Sequence, residues 1–456
     1  MQLAIRSMAA SAILFISGTS AVTASPGLGG PDKGPLEYQI APWYRFKSAA
    51  LSISFDDNYR SQVTHARPVL NQYNYKATYY IVTNRVGYGW APDWDTVNML
   101  AQEGNEIGSH SKNHANFEIL EQNPLFADSM MHEFRDSRDT INRHVPYKHC
   151  ETFAWPGGNT GVASGEMSKK YYMACRGSNN NFEFPDPLNF FNLASQHIYH
   201  DTPLETVNGY VDTVLNRKGW LIERWHGFRI NNDTNGYEPV PIEIFSQHFS
   251  HVAWSGNELW VAPVGTVAKY LIEREASSLK LLDSTGLKVV FDLTNNLSDS
   301  LTEYNQPLSI KVRAYGKMAR TKLITQDKDT VSFCLVQEDS LSFISFNAVP
   351  NHGQLKFHLI HEVSGTSDNN NLKRPAYNYP NPFKESTTIR FELASEETVT
   401  LCLYDELGHI VKSFSLQGHS GMNSTELAAG SICPGVYTCS ISGREVTMNL
   451  RLVLVP

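Results

Sequence analysis

The spacing of apolar residues changes once along this chain, near residue 280, and that change restricts the fold more than any other feature. Between residues 48 and 275 two periods alternate. "AALSISF", "KATYYIV" and "EIGSHS" read as strands, whereas "SQVTHARPVLNQYN", "WDTVNMLAQEG" and "FADSMMHEFRDSRDTINRH" read as helices. Asp93 or Asp95 would cap the second helix, and Gly104 stands just past its end. Strand–helix alternation predicts an α/β domain with parallel strands, open or closed into a barrel. After residue 280 only the strand period survives. "LKVVFDLTNNL", "LSIKVRAYG", "DTVSFCLVQ" and "QLKFHLIHE" predict a β-sandwich. A polar break, "VSGTSDNNNLKRP", reads as a linker, and short strands resume beyond it.

A chain of 456 residues has room for about three domains of ~150 residues each. A formal net charge of -8 with no Lys/Arg-rich run argues against a nucleic-acid partner. Residues 1–24 read as a signal peptide: Arg6 supplies the positive start, "MAASAILFISGTSAV" the apolar stretch, and "VTAS" a small-residue cleavage site. That stretch is too short and too interrupted by Ser, Gly and Thr for a membrane anchor, and no other segment qualifies. The mature chain is therefore expected to carry no transmembrane anchor. Residues 25–47 open with the Gly/Pro-rich "SPGLGGPDKGP" and read as a linker. Six cysteines without a C-x-x-C pair describe neither a zinc knuckle nor a disulfide scaffold. Cys433 and Cys439 are close in sequence, Cys402 could neighbour either, and no pairing stands out.

Parallel α/β folds carry their chemistry at the C-terminal ends of strands. Three ionisable motifs fall at such ends: Asp56-Asp57 closing "LSISFDD", His110 and His114 in "SHSKNH", and His226 closing "WLIERWH". Two adjacent carboxylates repel each other, and a dication beside them makes the pair favourable, one ligating and the other free as a base. Two histidines and one carboxylate make a catalytic-type zinc site with a position open to water. Successive strand residues face opposite sides, so both carboxylates reach one pocket only if the strand frays there. Each motif has an ordinary explanation on its own: a turn or cap, two unrelated histidines among 16, a hydrogen-bonded structural histidine. Their common position at strand ends of one domain joins them.

At these residues the chain resembles the polysaccharide deacetylases of the NodB-homology type (carbohydrate esterase family 4). The family's T-F-D-D stands here as "SFDD" (54–57), its H-[ST]-x-x-H as "HSKNH" (110–114), its R-x-P-x-G as "AWPGG" (154–158), and its L-x-H as "ERWH" (223–226). The resemblance runs over about residues 48 to 275. It implies a distorted (β/α) barrel over residues 48–278. Asp57, His110 and His114 would hold a divalent metal, usually Zn2+, with Co2+, Ni2+ or Mn2+ as alternatives. Asp56 would be the general base toward the attacking water, and His226 the general acid toward the leaving group. The backbone N–H of Gly157 would help hold the oxyanion, with Pro156, Arg176 and Trp225 on the same oxyanion and substrate side.

Three departures stand against that pattern. Ala154 replaces the arginine that in the family contacts the catalytic carboxylate, and Arg176 could supply the cation instead. The family's Asp-Trp motif, which orients the histidine, has no clear counterpart. Arg224 replaces the leucine two residues before His226. Trp220 and Trp225 could be core packing or walls of the substrate pocket.

Residues 377–456 resemble the sorting domain (type A) of the bacterial type IX secretion system, through "NYPNPF", "YDELGHIV" and "GVYTCSISG". That implies an encounter with the secretion machinery and a final place outside the cell or on its surface. Residues 279–365 are expected as an Ig-like sandwich, either a spacer or a carbohydrate-binding module, and 366–376 as a linker. The expected fold is thus an α/β barrel followed by two all-β Ig-like modules. The expected function is metal-dependent removal of N- or O-acetyl groups from a polysaccharide, either a GlcNAc polymer such as chitin or peptidoglycan, or acetylxylan. The alternative is a non-catalytic carbohydrate-binding protein on a decayed deacetylase scaffold.

Overall fold

A computed structural model describes residues 37–455 apart from 123–126, 159, 186, 231–235, 286, 299–301, 315, 339–340, 360–375, 405–409, 431, 433–434 and 444–446. The signal peptide read over residues 1–24, Cys433 and nearly all of the 366–376 linker lie outside the described residues.

The chain opens with β1 (Tyr38–Ile40) and then builds the barrel. Its strands are β2 (Ala49–Phe55), β3 (Thr78–Ile81), β4 (Glu106–Ser109), β5 (Thr152–Ala154), β6 (Ala174–Arg176), β7 (Gln196–His197) and β8 (Trp220–Trp225). The short strands β9 (Phe228–Arg229) and β10 (Val240–Pro241) pair beside it, and β11 (Leu259–Val261) completes it. The helices are α1 (Arg67–Gln72), α2 (Trp94–Gln102), α3 (Phe117–Glu121), α4 (Ala127–His144), α5 (Val162–Ser168), α6 (Leu204–Arg217), α7 (Ile242–Trp254) and α8 (Val264–Ala276). A turn of π-helix, Gln62–Ala66, leads into α1, and Asp93 caps α2 by accepting from Thr96 N at 2.9 Å.

The strands pair in parallel in the order β6-β5-β4-β3-β2-β8-β7, with β11 also on β2. The stretch before β7 crosses back to β6: Leu193 N donates to Cys175 O at 2.9 Å and Gly177 N to Leu193 O at 2.7 Å. A segment that bonds β6 at one end and β8 at the other closes the sheet into a distorted barrel.

Side-chain parity decides what this barrel holds. Leu51, Ile53 and Phe55 of β2, Tyr79 and Ile81 of β3, and Leu221 and Trp225 of β8 belong to one buried apolar cluster with α1, α2, α4, α6 and α7. The alternate residues, Ala50, Ser52 and Ser54 of β2, Thr78 and Tyr80 of β3, and Trp220, Ile222 and Arg224 of β8, are buried facing the other way. At the N-terminal ends of the strands, Glu106 accepts from Thr78 Oγ1 (2.7 Å), Thr152 Oγ1 (2.6 Å) and the backbone N–H of Gly265 (2.8 Å), so the start of α8 plugs the barrel. Gly108 faces the same interior, where a Cβ would lie 2.5 Å from the Tyr80 ring. The C-terminal ends of the strands are left for the site.

The second module is a sandwich of two antiparallel sheets. One, in the order β1-β14-β18-β17, uses β14 (Leu308–Arg313), β17 (Phe333–Glu338) and β18 (Leu341–Ala348). The other, in the order β12-β13-β19-β15-β16, uses β12 (Ser278–Asp283), β13 (Lys288–Thr294), β15 (Thr321–Gln326), β16 (Asp329–Val331) and β19 (Leu355–Leu359). β1 lies within the span expected as linker, yet it pairs antiparallel with β14, because alternate Tyr38 and Ile40 can cover that sheet's edge. The sandwich shares its buried cluster with α8: Trp43, Trp260 and Tyr270 lie with Leu308, Ile310 and Phe346. The third module has a core of its own and two sheets, ordered β20-β21-β24 and β23-β22-β25-β26. They use β20 (Ala376–Tyr379), β21 (Ser386–Leu393), β22 (Glu397–Tyr404), β23 (Ile410–Gly418), β24 (Gly421–Ala428), β25 (Gly435–Ser442) and β26 (Thr447–Leu454). β22 and β25 pair and set Leu403 opposite Cys439, and the five described cysteines are all free. Among the described residues no helix is long and apolar enough to cross a membrane.

Candidate active site

The strand β2 ends at Phe55, and the next two residues solve the problem of two adjacent carboxylates. Asp56 keeps the strand's parity and its N–H still bonds Trp225 O at 3.0 Å. Asp57 turns to φ +72° and Asn58 to +60°, so the alternation breaks and the second carboxylate swings to the same side. Left-handed backbone costs a non-glycine residue about 1–2 kcal/mol, and the surroundings hold it in place. The Asn58 amide donates to Val82 O (3.0 Å) and accepts from Val82 N (2.7 Å), which ties the turn to the end of β3. Gln62 donates to the carbonyls of both Asp56 (2.6 Å) and His226 (3.0 Å), which ties β2 to β8.

His110 and His114 follow β4 on a tight loop, not on a helix, with Ser111 at φ +66° and His114 at +61°. Glu133 of α4 holds this loop by accepting from Asn113 N (2.8 Å) and Asn113 Nδ2 (2.6 Å). His110 Nδ1 donates to Ala154 O at 2.8 Å, which fixes its tautomer and leaves the Nε2 lone pair free. One ligand atom each from Asp57, His110 and His114 all lie within 4.8 Å of one another. His114 Nε2 is 3.3 Å and His110 Nε2 4.0 Å from Asp57 Oδ1. The donor set suits a divalent ion: a carboxylate, two imidazoles, and a backbone carbonyl steering one ring from behind. Burial pulls His110 down to about 4 against the opposing pull of Asp56 and Asp57, so the ring is neutral, as a ligand must be.

Asp56 lies beside these three atoms. Arg176, at the end of β6 and fully buried, donates from Nη2 to Oδ1 (2.6 Å) and Oδ2 (2.5 Å) of Asp56. Burial alone would push the Asp56 carboxyl up, but Arg176, helped by His110 and His226, outweighs it and holds the group well below the usual carboxylate range. His226, just past β8, brings Nε2 to 3.9 Å from Asp56 Oδ2 and 4.0 Å from Asp57 Oδ2. Burial is also the main cause that pulls His226 below the ordinary imidazole value. The structure thus brings Asp56, Asp57, His110, His114, Arg176 and His226 together. Pro156 and Gly157 form the turn after β5, with Gly157 exposed at φ +64°.

Trp225 is not brought to the substrate side. Its parity on β8 is that of Glu223, so its ring is buried against Phe228 and Phe245, and Nε1 donates to Glu223 Oε2 at 3.0 Å. Trp220 is equally buried, donating to Ser52 Oγ at 3.0 Å. Other residues reach the site without a sequence signal. Arg85, from the loop after β3, donates to Asp57 Oδ1 at 2.7 Å and lines a cleft of about 430 Å³ with Tyr59, Trp90 and Gly236. His197 packs on His226 with ring centroids 4.7 Å apart, but its strand has only two residues, too few for a period to show.

Comparison with known proteins gives the class. Residues 44–174 match the family model described as polysaccharide deacetylase, and residues 378–455 match that of a secretion system C-terminal sorting domain. The chain carries a polysaccharide deacetylase domain of the NodB (carbohydrate esterase 4) kind, followed by a type IX sorting domain, which marks chains secreted to the cell surface or beyond. Gellan lyase of a Bacillus species is 23% identical over 338 residues, 70% of this chain and 13% of that protein. YxkH of Bacillus subtilis (strain 168), whose name places it among polysaccharide deacetylases, is 33% identical over 106 residues, 23% of this chain and 36% of that protein. The chain therefore spans well under two thirds of either relative's length. Among solved structures, the Streptococcus pyogenes deacetylase PplD in complex with acetate is 21% identical, with a TM-score of 0.31 over 34% of this chain and 67% of that one.

Proposed function

We propose that this chain is a metal-dependent deacetylase that removes N- or O-acetyl groups from a polysaccharide outside the cell. The observation that carries the reading is the placement of a carboxylate and an imidazole, Asp56 and His226, within 4.0 Å of each other and beside the Asp57–His110–His114 ligand set. Asp57, His110 and His114 would hold the ion, most readily Zn2+ given two imidazoles and one carboxylate. Such an ion lowers the pKa of water from 15.7 toward about 7 and polarises a carbonyl.

The chain's own groups supply the proton traffic. Asp56, kept ionised by Arg176, takes a proton from the attacking water, whose oxygen forms the new bond to the acetyl carbon. The bond from that carbon to the sugar nitrogen or oxygen then breaks. Asp56 passes that proton to the neighbouring His226, whose Nε2 lies 3.9 Å from Asp56 Oδ2. His226 delivers it to the departing atom, and acetate leaves. The exposed Gly157 turn would present a backbone N–H to the oxyanion. A positioned acid or base typically contributes about 10²–10⁴-fold. Two supports point to a polysaccharide: the matched family model and the names of both relatives.

The competing reading is a non-catalytic carbohydrate-binding protein, and one observation favours it: His226 Nδ1 is buried with no hydrogen-bond partner among the described residues. Asp56→Asn separates the two. In the deacetylase, the zinc-loaded variant keeps its glycan affinity and loses acetate release from GlcNAc oligomers and acetylxylan by at least about 10²-fold. A binder releases no acetate before or after the change. His226→Ala serves as a second variant, because Asp56→Asn leaves Arg176 without its charge partner.

A further inference from the structure

General-acid work by His226 needs a ring held in one plane, with one nitrogen toward the reacting atoms and the other hydrogen-bonded behind. Nε2 faces Asp56 and Asp57, so Nδ1 is the rear nitrogen. No described residue meets it. The neighbouring ring also carries a buried nitrogen that no described residue meets, His197 Nε2. The two rings are packed 4.7 Å apart at 48°, and each residue is only 7% exposed.

His197 is itself firmly held. Its strand β7 pairs with β8 so that His197 stands opposite Arg224, its N–H donates to Asn180 Oδ1 at 3.2 Å, and its ring lies on Tyr199 at 3.8 Å. Tyr237 stands against His226 at 5.0 Å and 74°. His226 is thus walled by His197 and Tyr237.

We propose that His197 is the positioning residue for His226, through the ring contact and through one ordered water that accepts from His226 Nδ1–H and donates to His197 Nε2. A buried polar nitrogen left without a partner is costly, and two of them on rings packed 4.7 Å apart would be satisfied together by one bridging water. His197 suits the acceptor role because it stays neutral: burial, then the charge of Arg224, pull it down to about 3. A neutral acceptor orients His226 without placing a second anion near Asp56. In this chain an imidazole would do what a carboxylate does in the usual acid–histidine pair.

The inference rests on the deacetylase reading, and the experiment separates the two. The full chain, loaded with Zn2+, is assayed on the acetylated glycan it cleaves and on 4-nitrophenyl acetate, whose leaving group departs without a proton. His197→Phe keeps the ring contact and removes the acceptor. Its kcat on the glycan should fall about 10²-fold with KM unchanged, while hydrolysis of 4-nitrophenyl acetate stays within about threefold. His197→Gln, which carries an amide oxygen near the Nε2 position, should restore most of the glycan kcat. Should His197→Phe fail to fold, His197→Asn replaces it, its amide being too short to reach that position. An unchanged glycan kcat, a parallel loss on both substrates, or no difference between the Gln variant and the others overturns the role of His197. Wild-type protein that releases acetate from neither substrate overturns the deacetylase reading, and the inference with it.

Discussion

Arg176 and Asp56 come from strands that are not neighbours in sequence, yet one guanidinium nitrogen lies 2.6 Å and 2.5 Å from the two carboxylate oxygens, with both groups buried. Removing one member of such a pair strands the other charge, at a cost of about 3–5 kcal/mol. Arg176→Met should therefore lower unfolding free energy by about 3 kcal/mol in urea titrations. The double variant Asp56→Asn/Arg176→Met should recover more than half of that loss, because neither charge then remains. An additive loss in the double variant contradicts the coupling.

Zinc titration should give one ion per chain, with His114→Ala binding at least about 10²-fold more weakly, since even outer-shell changes cost 10–100-fold. Chelation should lower the melting temperature of the wild type and leave His114→Ala unmoved. At an ion concentration 100 times Kd the stabilisation is about 2.7 kcal/mol.

Glu273 sits where α8 meets the sandwich. It is buried, accepts from Gln306 N at 2.8 Å through Oε1, and has no described partner for Oε2. Burial pushes its carboxyl up to about 7, against the Gln306 N–H and Lys269. An acid whose folded pKa is raised keeps its proton when the unfolded chain has released it, so stability falls as pH rises from about 4.5 to about 7. Glu273→Gln should remove this decline. The variant should match the wild type near pH 5 and exceed it by about 2 kcal/mol at pH 8, read from denaturation midpoints at the two pH values.

Gly108 lies on β4 facing the barrel interior. A methyl group there would sit 2.5 Å from Tyr80 Cε1 and 2.9 Å from Thr152 Oγ1, a buried hydroxyl bonded to Glu106. Gly108→Ala should destabilise the fold by about 1–3 kcal/mol, measured by thermal unfolding, as overpacking in a closed core does.

The parts of this molecule that were legible in the sequence are those set by local periodicity and by the chemistry of residue types. Strand and helix periods mark β2, β3, β4, α2 and α4, because side-chain direction repeats every two residues on a strand and every 3.6 on a helix. Asp56-Asp57, His110 and His114 stand out because few residue types can ligate a dication. The Asp93 cap is legible for the same local reason.

What the sequence could not contain is the order in which strands meet. Whether Arg176 reaches Asp56 depends on barrel closure through a two-residue strand with no period of its own, and the same closure sets His197 against His226. Trp225 could face the pocket or the helices until its parity with Glu223 on β8 was known, and it faces the helices. β1 joins a sandwich whose other strands lie far along the chain, a pairing that no local pattern records. The sequence alone determined the chemistry on offer and the elements that carry it. Only the tertiary structure decided which groups share a pocket, because contacts between distant residues depend on how strands close and pack, not on the spacing within any one of them.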